Sequence, residues 1–221
     1  MERTEERAAG GGVDERTESI FEWLHANSRL FGIALAVVVA VALGGWLYTR
    51  AQAGKELRAE QDLQRAQASM VQGNTPLAQT DLEKLVSSRG GTSGASQGAM
   101  LLAQLHYQAG EYQKGIDVLE KSGAARKEFS APVEALIGDG YSQLGKYSEA
   151  AAHYRKAADA TRFKADRENY LADAARNLTE AKDTTAARQI WQDLAGDESS
   201  PLAAEAKIRL GELLARPAAK S

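Results

Sequence analysis

Apolar residues are distributed unevenly along the chain: one unbroken apolar run lies near the N-terminus, and a periodic pattern follows it. Residues 30–49 contain no charged side chain and lie between Arg29 and Arg50. As an α-helix this run rises about 30 Å, which matches the hydrocarbon thickness of a bilayer. Trp46 and Tyr48 lie near its end, where interfacial aromatic side chains are enriched in spanning helices. The pattern therefore predicts a transmembrane helix over residues 30–49.

The segment ahead of the apolar run favours an uncleaved anchor over a signal peptide. Residues 1–29 hold four arginines and seven acidic residues, unlike a short basic leader. Residues 51–53 have the small-x-small form of a cleavage site, but the apolar run is longer than that of a typical leader. Within the tail, the apolar cluster from Ile20 to His25 indicates a short interfacial segment or a simple lead-in turn.

Behind the anchor, two helical patterns separated by a turn form a unit that recurs. The turns begin at Gly73, Gly110, Gly145 and Lys182, at spacings of 37, 35 and 37 residues. A helix pair of this kind cannot bury its apolar face alone, so several pairs must stack to form a core. By contrast, residues 89–98 are rich in glycine and serine, and this composition predicts a flexible loop.

Small residues recur at one position in each helix of a unit, which predicts a close approach of the two helices. These pairs are Ala103 with Gly115, Gly138 with Ala150, and Ala175 with Ala187. A bulky residue follows four positions later, at Leu119, Tyr154 and Trp191, where it would fill the space between units. The order of small residue, tyrosine, Gly-x-Tyr turn, alanine and large apolar residue resembles the tetratricopeptide repeat, a unit of about 34 residues.

The resemblance implies an all-α fold. It comprises a single N-terminal transmembrane helix followed by a right-handed α-solenoid of about four degenerate tetratricopeptide repeats plus a C-terminal capping helix. Ser200-Pro201 is expected to act as the N-cap and first residue of that capping helix. The predicted boundaries are a tail over 1–29, the transmembrane helix over 30–49, a connecting helix over 50–58 and the repeat domain over 59–216.

Charge and residue types argue against several classes of function. The net charge is −3, and residues 51–221 hold 22 basic against 23 acidic residues, so no basic domain is available for nucleic acid. The chain has no cysteine, and its three histidines have no second ligand at metal-binding spacing. No phosphate-cradling loop or nucleophile elbow occurs in the sequence. We therefore expect no enzymatic activity, cofactor, metal or small-molecule substrate.

The remaining expectation is protein binding, through the concave wall formed by the first helices of the units. The positions expected on this wall are Met100, Gln104, Tyr107, Gln108, Ala135, Asp139, Ser142, Gln143, Asn169, Ala172, Arg176 and Thr179. The candidate partner-binding residues among them are Gln104, Tyr107, Asp139, Ser142 and Arg176. The wall lacks the clustered lysine and asparagine of a pocket for a terminal carboxylate, which favours extended or non-native polypeptide. The alternative interpretation is an ordinary solvated helix surface.

A second candidate binding surface lies in the transmembrane helix. Small residues recur every four positions at Gly32, Ala36, Ala40 and Gly44. This small-xxx-small arrangement allows another membrane helix to approach closely. Glycine and alanine are also common in spans that have no helical partner, so both interpretations stay open.

The layout of anchor, polar helix and repeats ending in Pro201 to Leu213 resembles the YfgM-like family, ancillary subunits of the Sec translocon. The resemblance implies a single-pass protein of the bacterial inner membrane, with a cytoplasmic N-terminus and a periplasmic repeat domain. Its protein partners would be translocon subunits, secretory clients or chaperones.

Other orientations and functions stay open from the residues alone. Two basic residues lie within fifteen positions before the span and three after it, which favours the opposite orientation. The alternatives are a scaffold of envelope assembly or division that holds one folded partner, and an import-receptor-like protein with cytosolic repeats.

Overall fold

The computed structural model describes residues 28–124 and 126–215, and within these ranges the regular elements are nine α-helices with no strand. The predicted all-α class is confirmed. The apolar cluster from Ile20 to His25 lies outside the described residues. The helices are α1 (Ser28–Val71), α2 (Thr75–Ser88), α3 (Ser93–Gln108), α4 (Tyr112–Lys121), α5 (Ser130–Gln143), α6 (Tyr147–Ala160), α7 (Lys164–Glu180), α8 (Thr184–Gly196) and α9 (Ala203–Ala215).

The chain divides into two compact units, one ending at Ala53 and the other beginning at Gly54. In the first unit, the large apolar side chains described between Ile33 and Tyr48 are each at least 47% exposed. By length and composition, α1 is able to cross a membrane. Helix α1 passes through Gly54 without a break in its helical conformation.

In the second unit, four turns of the same geometry join the helices within each pair. Gly73, Gly110, Gly145 and Lys182 adopt left-handed φ angles of 75°, 77°, 70° and 65°. The next residue's N–H donates to a carbonyl five positions back, as from Glu111 to His106 at 2.8 Å. This is the hydrogen bonding of a Schellman motif, which satisfies the last carbonyls of the preceding helix. The four predicted turns are confirmed.

Small residues lie where the helices of a pair cross. Ala103, Ala150, Ala175 and Ala187 are completely buried, and a Cβ added to Gly115 would lie 3.0 Å from the carbonyl oxygen of Ala103. The bulky residues that follow these positions are buried, and the Tyr154 ring lies against Gly138 of its own pair. Leu119 and Trp191 are each 1% exposed and Tyr154 is 6% exposed.

The prediction of a flexible loop over residues 89–98 is wrong, because α3 begins at Ser93. The hydroxyl of Thr92 accepts a hydrogen bond from the Ala95 N–H at 3.1 Å and so caps the helix. A Cβ on Gly94 would lie 2.8 Å from the carbonyl carbon of Ala59, and one on Gly98 would lie 2.7 Å from Leu85 Cδ2. These glycines therefore permit close helix packing instead of forming a loop.

The closing helix α9 is present but begins at Ala203, two residues later than the Ser200-Pro201 prediction. The Ser200 hydroxyl donates to Glu168 Oε2 at 2.7 Å and accepts from the Leu202 N–H at 3.1 Å. Ser200 therefore forms a turn bound to α7, and the α-helix starts only after that turn.

Candidate protein-binding groove

Two cavities lie along the side of the second unit formed by the first helices of the pairs and by α9. The first, the Tyr107 cavity, has a volume of about 420 Å³ and is lined by residues of α3 to α6. The second, the Arg176 cavity, has a volume of about 410 Å³ and is lined mainly by α7 and α9. Ser142 and Tyr154 line both cavities, so the two are adjacent, and we refer to them together as the groove. The residues that line the Tyr107 cavity are Tyr107, Gln108, Tyr112, Asp139, Ser142, Gln143 and Tyr154.

Two tyrosine rings line the Tyr107 cavity, and a hydrogen bond holds one of them, Tyr107, in place. The Tyr107 hydroxyl donates to the Leu136 carbonyl oxygen at 2.9 Å, which connects α3 to α5. The ring centroids of Tyr107 and Tyr112 are 5.9 Å apart, with a tilt of 45°. Burial, together with the nearby charge of Asp139, raises the pKa of Tyr107, so this hydroxyl stays protonated and remains a donor.

Asp139 carries the charge of the Tyr107 cavity. The Tyr154 hydroxyl donates a hydrogen bond to Asp139 Oδ1. Burial raises the pKa of the Asp139 carboxyl, the Tyr154 hydrogen bond partly offsets this effect, and the charge of Asp173 adds to it. Within residues 28–124 and 126–215, no basic side chain forms an ion pair with Asp139. Its charge is therefore not balanced inside the described chain.

Arg176 is in the opposite situation, because two carboxylates already bind it. Its Nη2 lies 2.8 and 2.9 Å from the two carboxylate oxygens of Glu205, and its Nη1 lies 2.6 Å from Asp173 Oδ1. The guanidinium carbon also lies 5.8 Å from the centre of the Trp191 ring. The hydrogen bonds from Arg176 lower the pKa of Glu205. This network joins α7 to α9. The Arg176 cation is therefore already paired within the chain.

The structure brings four of the five candidate residues to the groove: Tyr107, Asp139, Ser142 and Arg176 line it. Gln104 is exposed on α3 and lines neither of the two cavities. Ala172 had been expected on the same wall, but it is completely buried, so that expectation is wrong. It faces the core because α7 packs tightly between α6 and α8.

Sequence reasoning missed several polar partners. It assigned Tyr154 to packing only, although the hydroxyl also binds Asp139. It also missed the carboxylates around Arg176. Only the spacing of Asp173 and Arg176, three residues apart on one helix face, gave a signal for that network.

Two histidines, the buried His106 and the half-buried His153, have partners that the sequence did not indicate. His153 Nδ1 lies 2.7 Å from Glu134 Oε2, and His106 Nδ1 lies 2.8 Å from Glu111 Oε2. The first pair joins α6 to α5, and the second joins the end of α3 to the turn before α4. Among the described residues, no group of three or more acidic or histidine side chains is arranged to hold a metal ion.

Comparison with solved structures supports the fold. The nearly identical TPR-like repeats of a Podosopora anserina protein assigned as a kinesin light chain match with a TM-score of 0.56 and 14% identity, covering 71% of this chain and 85% of that chain. A substituted form of those repeats matches with a TM-score of 0.55 and 15% identity, covering 71% and 84%. At these identities the likeness concerns the fold alone. No curated protein matches the chain.

A family model described as a tetratricopeptide repeat-like domain matches residues 22–122 and, in a second alignment, residues 62–172. Repeats of this type bind protein partners and are typically non-catalytic interaction scaffolds. The second alignment alone spans half of the sequence, and the chain belongs to the tetratricopeptide repeat-like domain family.

Proposed function

We propose that this protein is a membrane-anchored adaptor, ancillary to the Sec translocon, which holds secreted polypeptides or passes them to chaperones. The observation that carries the proposal is the groove, whose two adjacent cavities are lined by residues from α3 to α9 and combine tyrosine rings with polar side chains. The two arginines that line it, Arg176 and Arg209, both bind Glu205. The groove is therefore better suited to the middle of an extended chain than to a terminal carboxylate.

The membrane part of the proposal is supported by the length and composition of α1. The first family alignment begins at residue 22 and so covers the apolar run as well as the first repeats. We assign the N-terminus to the cytoplasm and the repeats to the periplasm, as the YfgM-like resemblance implies. The protein would then hold its clients where they emerge from the membrane.

We also propose that α1 binds a translocon helix through the small residues Gly32, Ala36, Ala40 and Gly44. All four are exposed, and the Cβ positions built on the two glycines have no atom within 4 Å. Close backbone approach at such residues strengthens helix association in membranes, where the hydrophobic effect between helices is absent.

Site-specific photo-crosslinking in intact membranes tests client binding. A photoreactive residue replaces Gln143, which is exposed and lines the Tyr107 cavity, or Lys156, an exposed residue of α6 outside the groove. We expect position 143 to crosslink to newly exported polypeptides of many sizes and position 156 to crosslink far less. One discrete product from position 143 would instead indicate a scaffold with a single partner. Equal crosslinking from both positions would contradict the proposal that clients bind in the groove.

The proposed association of α1 with a translocon helix is tested in the same membranes with two matched variants. Gly44→Ile places a branched side chain on the small-residue face, whereas Ala42→Ile places one on about the opposite face of the helix. Native electrophoresis should show that only Gly44→Ile releases the protein from its membrane complex. If both variants still co-migrate with the complex, α1 acts only as a membrane anchor.

A further inference from the structure

We propose that the Tyr107 cavity is a subsite for a lysine or arginine side chain of the bound polypeptide. This inference rests on the proposed function, since it names the side chain that the groove selects. It is carried by an uncompensated carboxylate that lines the same cavity as two aromatic rings, one of which is fixed by a hydrogen bond.

The first step concerns charge. Asp139 is the charged residue among those lining the Tyr107 cavity. Its neighbour Asp173 is bound by Arg176, whereas Asp139 has no ion-pair partner in the described part of the chain. Asp139 is exposed to solvent at the mouth of the cavity, so a cation from outside can reach it, and an uncompensated carboxylate attracts such a cation.

The second step concerns the geometry of the carboxylate. Tyr154 donates its hydrogen bond to Oδ1, and its ring is buried against Gly138, where a Cβ would lie 3.2 Å from the ring atoms. The second oxygen, Oδ2, receives no hydrogen bond from the described residues. The carboxylate is therefore fixed on one side and has an acceptor available on the other.

The third step concerns the aromatic rings. Tyr107 and Tyr112 present two tilted rings to the same cavity, and the Leu136 carbonyl holds Tyr107 through its hydroxyl. Cationic side chains interact favourably with tyrosine rings, and rings held by the fold lose little entropy when a ligand binds. A long stem ending in a cation can contact the rings and reach the carboxylate.

The Arg176 cavity does not offer the same chemistry. Of the carboxylates that line it, Asp173 is bound to Arg176 and Glu212 to Arg209, and Glu180 is an exposed side chain with no ion pair among the described residues. At Asp173 an incoming cation would have to displace an arginine that is held by four hydrogen bonds. The Tyr107 cavity combines an unpaired carboxylate, bound on one oxygen by Tyr154, with the Tyr107 and Tyr112 rings, so we assign the selectivity to it, with Asp139 as its specificity-determining residue.

The test uses the full chain in detergent micelles and two extended, fluorescently labelled peptides. The peptides are uncharged except that one carries a single central lysine, which the other replaces by norleucine. We expect tighter binding of the lysine peptide, and we expect Asp139→Asn to weaken that binding by about tenfold while changing the norleucine peptide less than about twofold. Asparagine keeps an acceptor for Tyr154, and Glu83→Gln is the control because Glu83 is an exposed acid of α2 outside the groove.

The outcomes separate this inference from the proposed function. If wild type binds both peptides equally, or if Asp139→Asn keeps the full lysine preference, the subsite is overturned while polypeptide binding by the groove stands. If neither peptide binds, both the subsite and the groove as a polypeptide site are overturned. Reversal of preference by Asp139→Lys, towards a peptide with a central glutamate, would support the direct charge contact.

Discussion

At the residue scale, Asp139 carries a carboxylate whose charged form the folded state disfavours. Burial holds the pKa of its carboxyl above the value of about 3.9 expected in the unfolded chain. Between the two pKa values the folded state binds more protons than the unfolded state, so the free energy of unfolding falls as the pH rises through this window. Above the folded pKa the ionised carboxylate remains a destabilising group.

Removing that charge should therefore stabilise the protein at neutral pH. We expect Asp139→Asn to melt at a higher temperature than wild type at pH 7, and the difference to shrink as the pH falls from the raised folded-state pKa to about 4. Thermal unfolding followed by circular dichroism measures both. Glu83→Gln, which neutralises an exposed acid outside the groove, is the matched control. A lower melting temperature for Asp139→Asn at pH 7 would mean that the carboxylate stabilises the fold.

Individual site residues could be predicted where the repeat period alone decides their position. Gln104, Asp139 and Arg176 occupy the same place in three successive units, and Tyr107 and Ser142 share another. The period places such residues on one side of the stack. It does not indicate that Glu205 binds Arg176, because that contact depends on the path of the chain between α7 and α9.

At the scale of elements, glycine has two different roles in this chain. Lys182 adopts the same left-handed conformation as the turn glycines, so alignment of the turns located it despite the different residue type. Gly94 and Gly98 instead lie inside α3 and face other helices. A single sequence does not distinguish a glycine that interrupts a helix from one that lets a neighbour approach, and the loop prediction failed for this reason.

Two alanine substitutions distinguish these roles. Gly94→Ala should lower the free energy of unfolding by about 1–3 kcal/mol, because the new Cβ would lie 2.8 Å from the Ala59 backbone, which cannot rotate away. Gly211→Ala, in α9, should raise it by up to about 1 kcal/mol, since no atom lies within 4 Å of the new Cβ and alanine favours helix. Urea unfolding, monitored by the circular dichroism signal of the helices, measures the free energy of unfolding of both variants.

The direction of the two changes tests the packing of α3. Equal effects at both positions would show that only helix propensity matters. A stabilised Gly94→Ala protein would contradict the close approach of α3 to α1.

At the scale of the whole molecule, the apolar run and the helix pairs could be predicted because they depend on local period and length. The orientation of α1 in the membrane is set during insertion. Local period and length do not predict it. The count of basic residues, two before the span and three after it, favours an external N-terminus. The proposed function requires the opposite orientation. Long domains translocate largely regardless of so small a bias.

We expect a phosphatase that is active only outside the cytoplasm to be active when fused after Ser221 and inactive when fused before Met1. The physical reason is that the uncharged run from Leu30 to Thr49 is long enough to span once, so the two ends lie on opposite sides.

The control is the same C-terminal fusion lacking residues 1–53, which should remain inactive inside the cell. A fluorescent protein that matures only in the cytoplasm provides the complementary measurement. Fluorescence from the C-terminal fusion would place the repeats in the cytosol, where they could not meet exported clients, and the receptor-like alternative would replace the proposed function.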